Sequence, residues 1–183
     1  KGLEHLSHTY HRTYRNNLCR GKFKKARRPV LLNSWEGVYF DFNGEKLLQM
    51  AKDAASRGIE LFVMDDGWFG KRDKDVSGLG DWFVNEKKLG CTLGELSEQI
   101  HALGLQFGIW FEPECVSEDS DLYRAHPDWA LKVPGKAPTR SRYQLVLDFS
   151  RADVRDYIFK QMCQVLDSAR IEYLKWDFNR SIS

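Results

Sequence analysis

What most constrains this chain is a recurring alternation, in which a short apolar run is followed by an amphipathic stretch of ten or more residues and then by another apolar run. Residues 29–33 (Pro-Val-Leu-Leu-Asn) read as a short buried strand. Residues 45–57 read as a helix with Leu47, Leu48, Ala51, Ala54 and Ala55 inward and Gly58 at its stop. The pattern returns with a strand at 60–64, a helix at 93–103 carrying Leu96, Ile100 and Leu103, and a strand at 106–111 closed by Pro113. Ser150-Arg151-Ala152-Asp153 resembles a capping box ahead of a third helix whose apolar face is Val154, Tyr157, Ile158, Val165, Leu166 and Ala169. A fourth strand spans 171–176, and residues 3–18 suit an additional amphipathic helix through Leu3, Leu6, Tyr10, Tyr14 and Leu18. The connection before the third helix is long and polar, with an extended piece at 144–147, and connections of that length are usually functional or disordered.

Strands separated by helices pair in parallel, and a parallel sheet must be covered on both faces. The expected class is therefore α/β, either a barrel or a doubly wound sheet. No Gly-x-Gly-x-x-Gly follows the first strand and no Gly-Lys-[Ser/Thr] loop occurs, so nucleotide binding lacks its usual support. The 183 residues are short for a complete barrel of roughly 250. With Lys1 in first position and no leader, the chain is expected to be cut from something longer, with a helical and basic lead-in at 1–28 and barrel sequence at 29–183.

Charge is nearly balanced, 28 basic against 26 acidic residues, which argues against a nucleic-acid partner; the basic run at 20–28 reads as a solvated connection. No apolar stretch reaches the roughly 20 residues of a membrane span. The four cysteines (Cys19, Cys91, Cys115, Cys163) are widely spaced, which supports neither a zinc knuckle nor a disulfide framework and favours a cytoplasmic location. Asn179-Arg180-Ser181 is a glycosylation sequon by pattern, read as chance. The five histidines are read as forming no metal-ligand pair at helical spacing with a carboxylate, and no Gly-x-Ser-x-Gly elbow is present, so neither a metal site nor a serine hydrolase is expected.

Each strand deposits polar or aromatic residues at its carboxyl end: Asn33 and Trp35, then Asp65 and Asp66, then Trp110, Glu112 and Glu114, then Lys175 and Asp177. In α/β folds these ends converge on one rim. Several carboxylates, a lysine and flat aromatic rings suit a sugar. Asp65-Asp66-Gly67 also fits a turn with an N-cap aspartate, though Trp68 and Phe69 beside it favour ligand contact. Glu112 and Glu114 fit either function or bonding to loop amides, and Asp148 fits capping as well as a ligand role.

Five motifs stand in one order: Asn33-Ser34-Trp35-Glu36, Met64-Asp65-Asp66-Gly67-Trp68-Phe69, Gly108-Ile109-Trp110-Phe111-Glu112-Pro113-Glu114, Gln144-Leu145-Val146-Leu147-Asp148-Phe149-Ser150-Arg151 and Leu174-Lys175-Trp176-Asp177-Phe178-Asn179-Arg180. Together with Tyr14-Arg15-Asn16-Asn17-Leu18 they resemble bacterial α-galactosidases of glycoside hydrolase family 36 over nearly the whole chain. The resemblance implies about the first four βα units of a (β/α)₈ TIM-type barrel and a retaining enzyme, without metal or organic cofactor, acting on terminal α-galactose in melibiose- or raffinose-like substrates. It implies Asp177 as nucleophile, Asp65 and Asp66 on the 4- and 6-hydroxyls, Lys175 and Arg142 as sugar contacts, and Trp35 and Trp110 as pocket walls. Lys175 would also lower the pKa of Asp177.

Two small departures are visible, Tyr143 where Asn is expected and Cys115 where Met is usual. The acid/base carboxylate comes from a later strand in that family and is not expected within this chain, so the 183 residues alone are expected to be inactive. Relatives often form homo-oligomers, which the full-length protein is expected to do. Remaining alternatives are an α-N-acetylgalactosaminidase, a raffinose-type galactosyltransferase, a non-catalytic galactose-binding module, and a doubly wound protein with another ligand.

Overall fold

A computed structural model of the chain describes residues 2–181; the outer ends of the expected 1–28 and 29–183 segments, at Lys1, Ile182 and Ser183, lie outside the described residues. The chain divides into two compact units, 1–30 and 31–183. In the first, helix α1 (Leu3–Thr13) runs into a wider turn at Tyr14–Leu18, and a tight helical turn follows at Gly21–Lys24. The amphipathic pattern is realised as helix, yet none of its residues is buried.

The second unit carries a four-stranded parallel sheet formed by β1 (Leu31–Asn33), β2 (Leu61–Met64), β3 (Gln106–Phe111) and, after two short intervening strands, β6 (Tyr173–Trp176). Its spatial order is β1-β2-β3-β6, the order of the chain. Between them run α2 (Trp35–Val38), α3 (Gly44–Ser56), α4 (Glu86–Leu89), α5 (Leu93–Ala102), α6 (Asp121–Ala125) and α7 (Ala152–Leu166). The four strands and three long helices expected from periodicity are present, with no end moved by more than three residues. The four-residue α2 and α4 and the five-residue α6 were too short to show a 3.6-residue repeat.

Apolar packing explains the central strands. All of β2 is buried, as are Phe107, Ile109 and Phe111 of β3, and Leu47, Ala51, Leu96, Ile100, Val154 and Ile158 pack into the same core from the long helices. Gly108 keeps β3 close to β6, since a Cβ there would lie 3.0 Å from both the Tyr173 side chain and its carbonyl oxygen.

The helix starts are fixed locally. The side chain of Asn43 accepts from the Lys46 N–H at the start of α3, and Thr92 and Glu95 form a reciprocal capping box on α5. The box expected at Ser150–Asp153 does not form: Arg151 caps α7 without a side-chain bond and is held instead by Asp128 and Asp153, while the Ser150 hydroxyl and N–H both donate to Asp148. Asp148 therefore takes the loop-stabilising option.

The long connection is partly structured. β4 (Cys115–Val116) pairs antiparallel with β5 (Leu145–Val146), Ala130 bridges Leu147, and Trp129 is buried. This draws the segment back against the end of β3 and holds Gln144 over the rim. No helix among the described residues is long and apolar enough to cross a membrane, and all four cysteines are free thiols.

At the opposite end of the strands, Glu172 links three elements. It accepts from the Phe107 N–H at 3.0 Å and from His101 at the end of α5, and pairs with Arg170. Burial alone would raise its pKa, but the Phe107 N–H, His101 and Arg170 together hold it below the ordinary value. A lowered carboxyl stabilises the fold above the unfolded-state pKa and loses that contribution as pH falls through the folded-state pKa. Glu172→Gln in the full-length protein is expected to cost about 1–2 kcal/mol by urea unfolding at pH 7. The gap to wild type should close as pH falls through the carboxylate range; a gap that persists in acid would contradict this.

Candidate active site

The register of the sheet builds the site. Met64 pairs with Ile109 and Ile109 with Leu174, so the next row brings Asp65, Trp110 and Lys175 to one level, and Trp110 pairs directly with Lys175. Paired residues share a face and side chains alternate along a strand, so Glu112 and Asp177, each two residues on, follow Trp110 and Lys175 to the same side. The result is a cleft of about 140 Å³, on the scale that accepts one six-membered ring, lined by Trp35, Asp65, Asp66, Arg72, Trp110, Glu112, Arg142, Gln144, Lys175, Asp177 and Asn179. Every expected site residue reaches it. Larger grooves of about 440 and 540 Å³ run along α3, but no comparable set of carboxylates and cations converges in them.

Each carboxylate has its own partners. Asp65 accepts from the Asn33 amide and from Lys175 Nζ (2.8 Å) on one oxygen and from the Asp66 N–H on the other, and its own N–H donates to the Ser34 hydroxyl. Asp66 is gripped by the buried guanidinium of Arg72, with Nη2–Oδ2 at 2.8 Å and Nε–Oδ1 at 3.0 Å. Glu112 takes the option of bonding amides, accepting from the Gln144 side chain and from the backbone and side chain of Asn179. Glu114 accepts from the Trp176 indole. A carboxylate offers about four acceptor positions, so Asp65 and Asp66 each retain about one for a ligand hydroxyl.

Asp177 differs from these four. The Trp110 indole donates to Oδ2 at 2.9 Å and the Phe178 N–H to Oδ1 at 3.0 Å, while Lys175 stands 3.8 Å away with its short bond going to Asp65. Burial alone would raise the Asp177 pKa; the Trp110 bond, Asn179, the Lys175 charge and the Phe178 N–H outweigh it and keep the carboxyl below its ordinary value. At 3.8 Å Lys175 forms a long ion pair with Asp177 rather than a hydrogen bond, so the carboxylate is oriented chiefly by the Trp110 and Phe178 N–H groups.

Trp110 lines the cleft through its N–H edge rather than as a platform. Its ring is buried with Phe69 and Trp82, and its carbonyl accepts from the Trp68 indole. Trp35 is half-buried, with Tyr39 and Phe40 edge-on to it. Arg142 is exposed, and its guanidinium has no partner among the described residues. Arg142 (φ 50°) and Tyr143 (φ 61°) form a two-residue turn in left-handed backbone between the bridged residues Ser141 and Gln144, at a cost of roughly 1–2 kcal/mol per residue.

Sequence reasoning did not single out Arg72, Gln144 or Asn179 as site residues. Arg72 lies in no motif, and its role depends on a loop that brings it back to Asp66 while Nη1 donates to the carbonyls of Lys74, Asp75 and Ser77. Gly67 (φ 109°) starts that loop where a Cβ would crowd Phe40 at 3.0 Å. The Asn179 amide is engaged with Glu112, so the sequon lies within the site. No cluster of His, Cys, Asp and Glu among the described residues has the geometry to hold a metal ion.

Comparison with known proteins gives a consistent picture. The family model described as Melibiase matches residues 1–183. The chain is 59% identical to the bifunctional alpha-galactosidase/sucrose kinase AgaSK of Mediterraneibacter gnavus, covering all of this chain and 20% of that protein. It is 55% identical to the alpha-galactosidase AgaA of Geobacillus stearothermophilus, covering all of this chain and 25% of that protein. The solved galactosidase domain of AgaSK superposes with a TM-score of 0.94 over 100% of this chain and 25% of that one. A variant of AgaA in complex with raffinose superposes at 0.92 with 55% identity, over 98% of this chain and 25% of that one. The chain thus spans between a fifth and a quarter of the length of these relatives.

The Asp66–Arg72 pair can be tested directly. Arg72→Met in the full-length protein strands a buried carboxylate and is expected to lower stability by about 3–5 kcal/mol in urea unfolding. Burial, Asp65 and Glu112 already push the Asp66 pKa up against the pull of Arg72, so the variant should also take up a proton at higher pH than wild type. A loss under about 1 kcal/mol would mean that the pair does not hold the loop.

Proposed function

This chain belongs to the melibiase family, and on that premise we propose that it is the first four βα units of a (β/α)₈ barrel in a longer retaining α-galactosidase, with Asp177 as its nucleophile. The barrel reading is supported by strands lying side by side in chain order, because a doubly wound sheet reverses its order at a switch point. The observation that carries the catalytic reading is the setting of Asp177: ionised, half-buried and oriented by Trp110, with its neighbouring lysine bonded to a different carboxylate. A nucleophile neutralised by a contact ion pair would be less reactive.

Asp177 attacks the anomeric carbon to give a covalent galactosyl ester, and water then hydrolyses it. A second carboxyl, about 5 Å from the nucleophile, protonates the leaving oxygen and later activates that water. Within this chain the candidates are engaged elsewhere, Asp65 by Lys175 and Asn33, Asp66 by Arg72, and Glu112 by Gln144 and Asn179. The acid/base therefore comes from the rest of the longer protein, and the 183 residues alone do not turn over substrate. Asp65 and Asp66 receive the 4- and 6-hydroxyls on their remaining acceptor positions, Lys175 and Arg142 donate to ring hydroxyls, and Trp35 covers the apolar side of the ring. The raffinose complex of AgaA and the naming of the relatives as α-galactosidases favour melibiose- or raffinose-type substrates over the N-acetylgalactosamine, transferase and lectin alternatives. The four free thiols favour the cytosol.

In the full-length enzyme, a 2-deoxy-2-fluoro-galactosyl donor should label Asp177, and Asp177→Asn should lower kcat by more than about 1000-fold. Labelling elsewhere, or none with an active enzyme, would overturn the assignment. Trp110→Phe removes the strongest interaction lowering the Asp177 pKa. Because the ionised form is the reactive one, the acid limb of kcat/KM should move to higher pH. An unmoved limb would take Trp110 out of that role. The purified 183-residue chain should not hydrolyse a nitrophenyl α-galactoside.

A further inference from the structure

The Arg142–Tyr143 turn should not be stable by itself. Positive φ at both central residues of a two-residue hairpin loop is the type I′ arrangement, which favours Asn, Asp and Gly, and here it is built from an arginine and a tyrosine. Tyr143 is 68% exposed, so packing of its ring does not fix the turn, and the Ser141–Gln144 bridge is itself loose, with one of its two bonds at 3.4 Å.

What spans the turn is Arg180, three residues after Asp177. It is buried, and Nη1 donates to the carbonyl oxygens of Thr139 at 2.9 Å and Gln144 at 2.6 Å, one on each side of the turn. Nε is occupied by the Ser181 carbonyl oxygen. The same exit segment reaches Gln144 a second way, because Asn179 and the Gln144 side chain share Glu112.

We propose that Arg180 is a positioning residue for sugar binding: by clamping both sides of the strained turn, it holds the unpartnered Arg142 guanidinium in the cleft and ties its position to the strand that carries Asp177. The inference rests on the reading of Arg142 and Asp177 as galactoside-site residues, and Arg180 itself touches no substrate. Its effect should therefore pass through Arg142 and depend on the strain at position 143. Asn adopts left-handed backbone more readily than Tyr, so Tyr143→Asn should make the clamp less necessary. Both turn-spanning bonds come from one nitrogen, which a lysine ammonium with three donors can partly replace.

The test uses the full-length protein with an aryl α-galactoside, together with peptide-resolved hydrogen exchange over residues 139–144. Arg180→Ala should lower kcat/KM by about tenfold, chiefly through KM, and speed exchange in that segment. Arg180→Lys should stay within about threefold of wild type, and Tyr143→Asn should restore most of the loss in the Arg180→Ala background. In an Arg142→Ala background, Arg180→Ala should add no more than about twofold. An equal loss with or without Arg142, or no rescue by Tyr143→Asn, would overturn the proposal, as would unchanged exchange. If the wild-type protein binds no α-galactoside, the functional reading fails, while the exchange measurement still decides whether Arg180 holds the turn.

Discussion

Four carboxylates converge on one small cleft, and the arrangement around them follows from keeping that density of negative charge tolerable. Two carboxyl groups sharing a dry site raise each other's pKa until one takes a proton. This chain offsets that by partnering them separately, although burial, Asp65 and Glu112 still hold the Asp66 pKa above its ordinary value. Asp66 has a guanidinium, Asp65 an ammonium and an amide, Glu112 only amides, and Asp177 an indole and a backbone N–H. The partners differ in strength in a way that suits different tasks: the two carboxylates proposed to bind the sugar carry formal counter-charges in contact, whereas the proposed nucleophile is oriented by dipoles, with the Lys175 ammonium 3.8 Å away. Several partners are themselves structural, since Arg72 organises the loop after β2 and Asn179 continues the segment after β6.

The elements legible in the sequence were those whose physics is local. A near-continuous apolar run as short as Leu61–Met64, closed by Asp-Asp-Gly, reads as a strand buried on both faces, and Leu96 and Ile100 place one face of α5. Strand ends then located Asp65, Trp110, Lys175 and Asp177, because parallel folds expose catalytic groups there. Arg142 had no such local signal and was indicated by family resemblance alone.

What the sequence hid depends on tertiary closure. Arg72 is one of many basic residues until the loop from Gly67 folds it onto Asp66. Ser150 and Asp153 have capping-box spacing, but Asp148 and Arg151 compete for their side chains and win. Trp110 reads as an aromatic wall until the packing of Phe69 and Trp82 against its ring leaves the N–H edge facing Asp177.

Strand β6 lies at the outer edge of the sheet, with β3 as its single neighbour and Trp176 exposed beside Asp177. Lys175 lies on this strand and Asp177 directly after it, so the cleft they form with Asp65 and Trp110 exists only when β6 is docked on β3. A change that loosens β6 from β3 would therefore disperse the cleft as a whole rather than remove one of its residues.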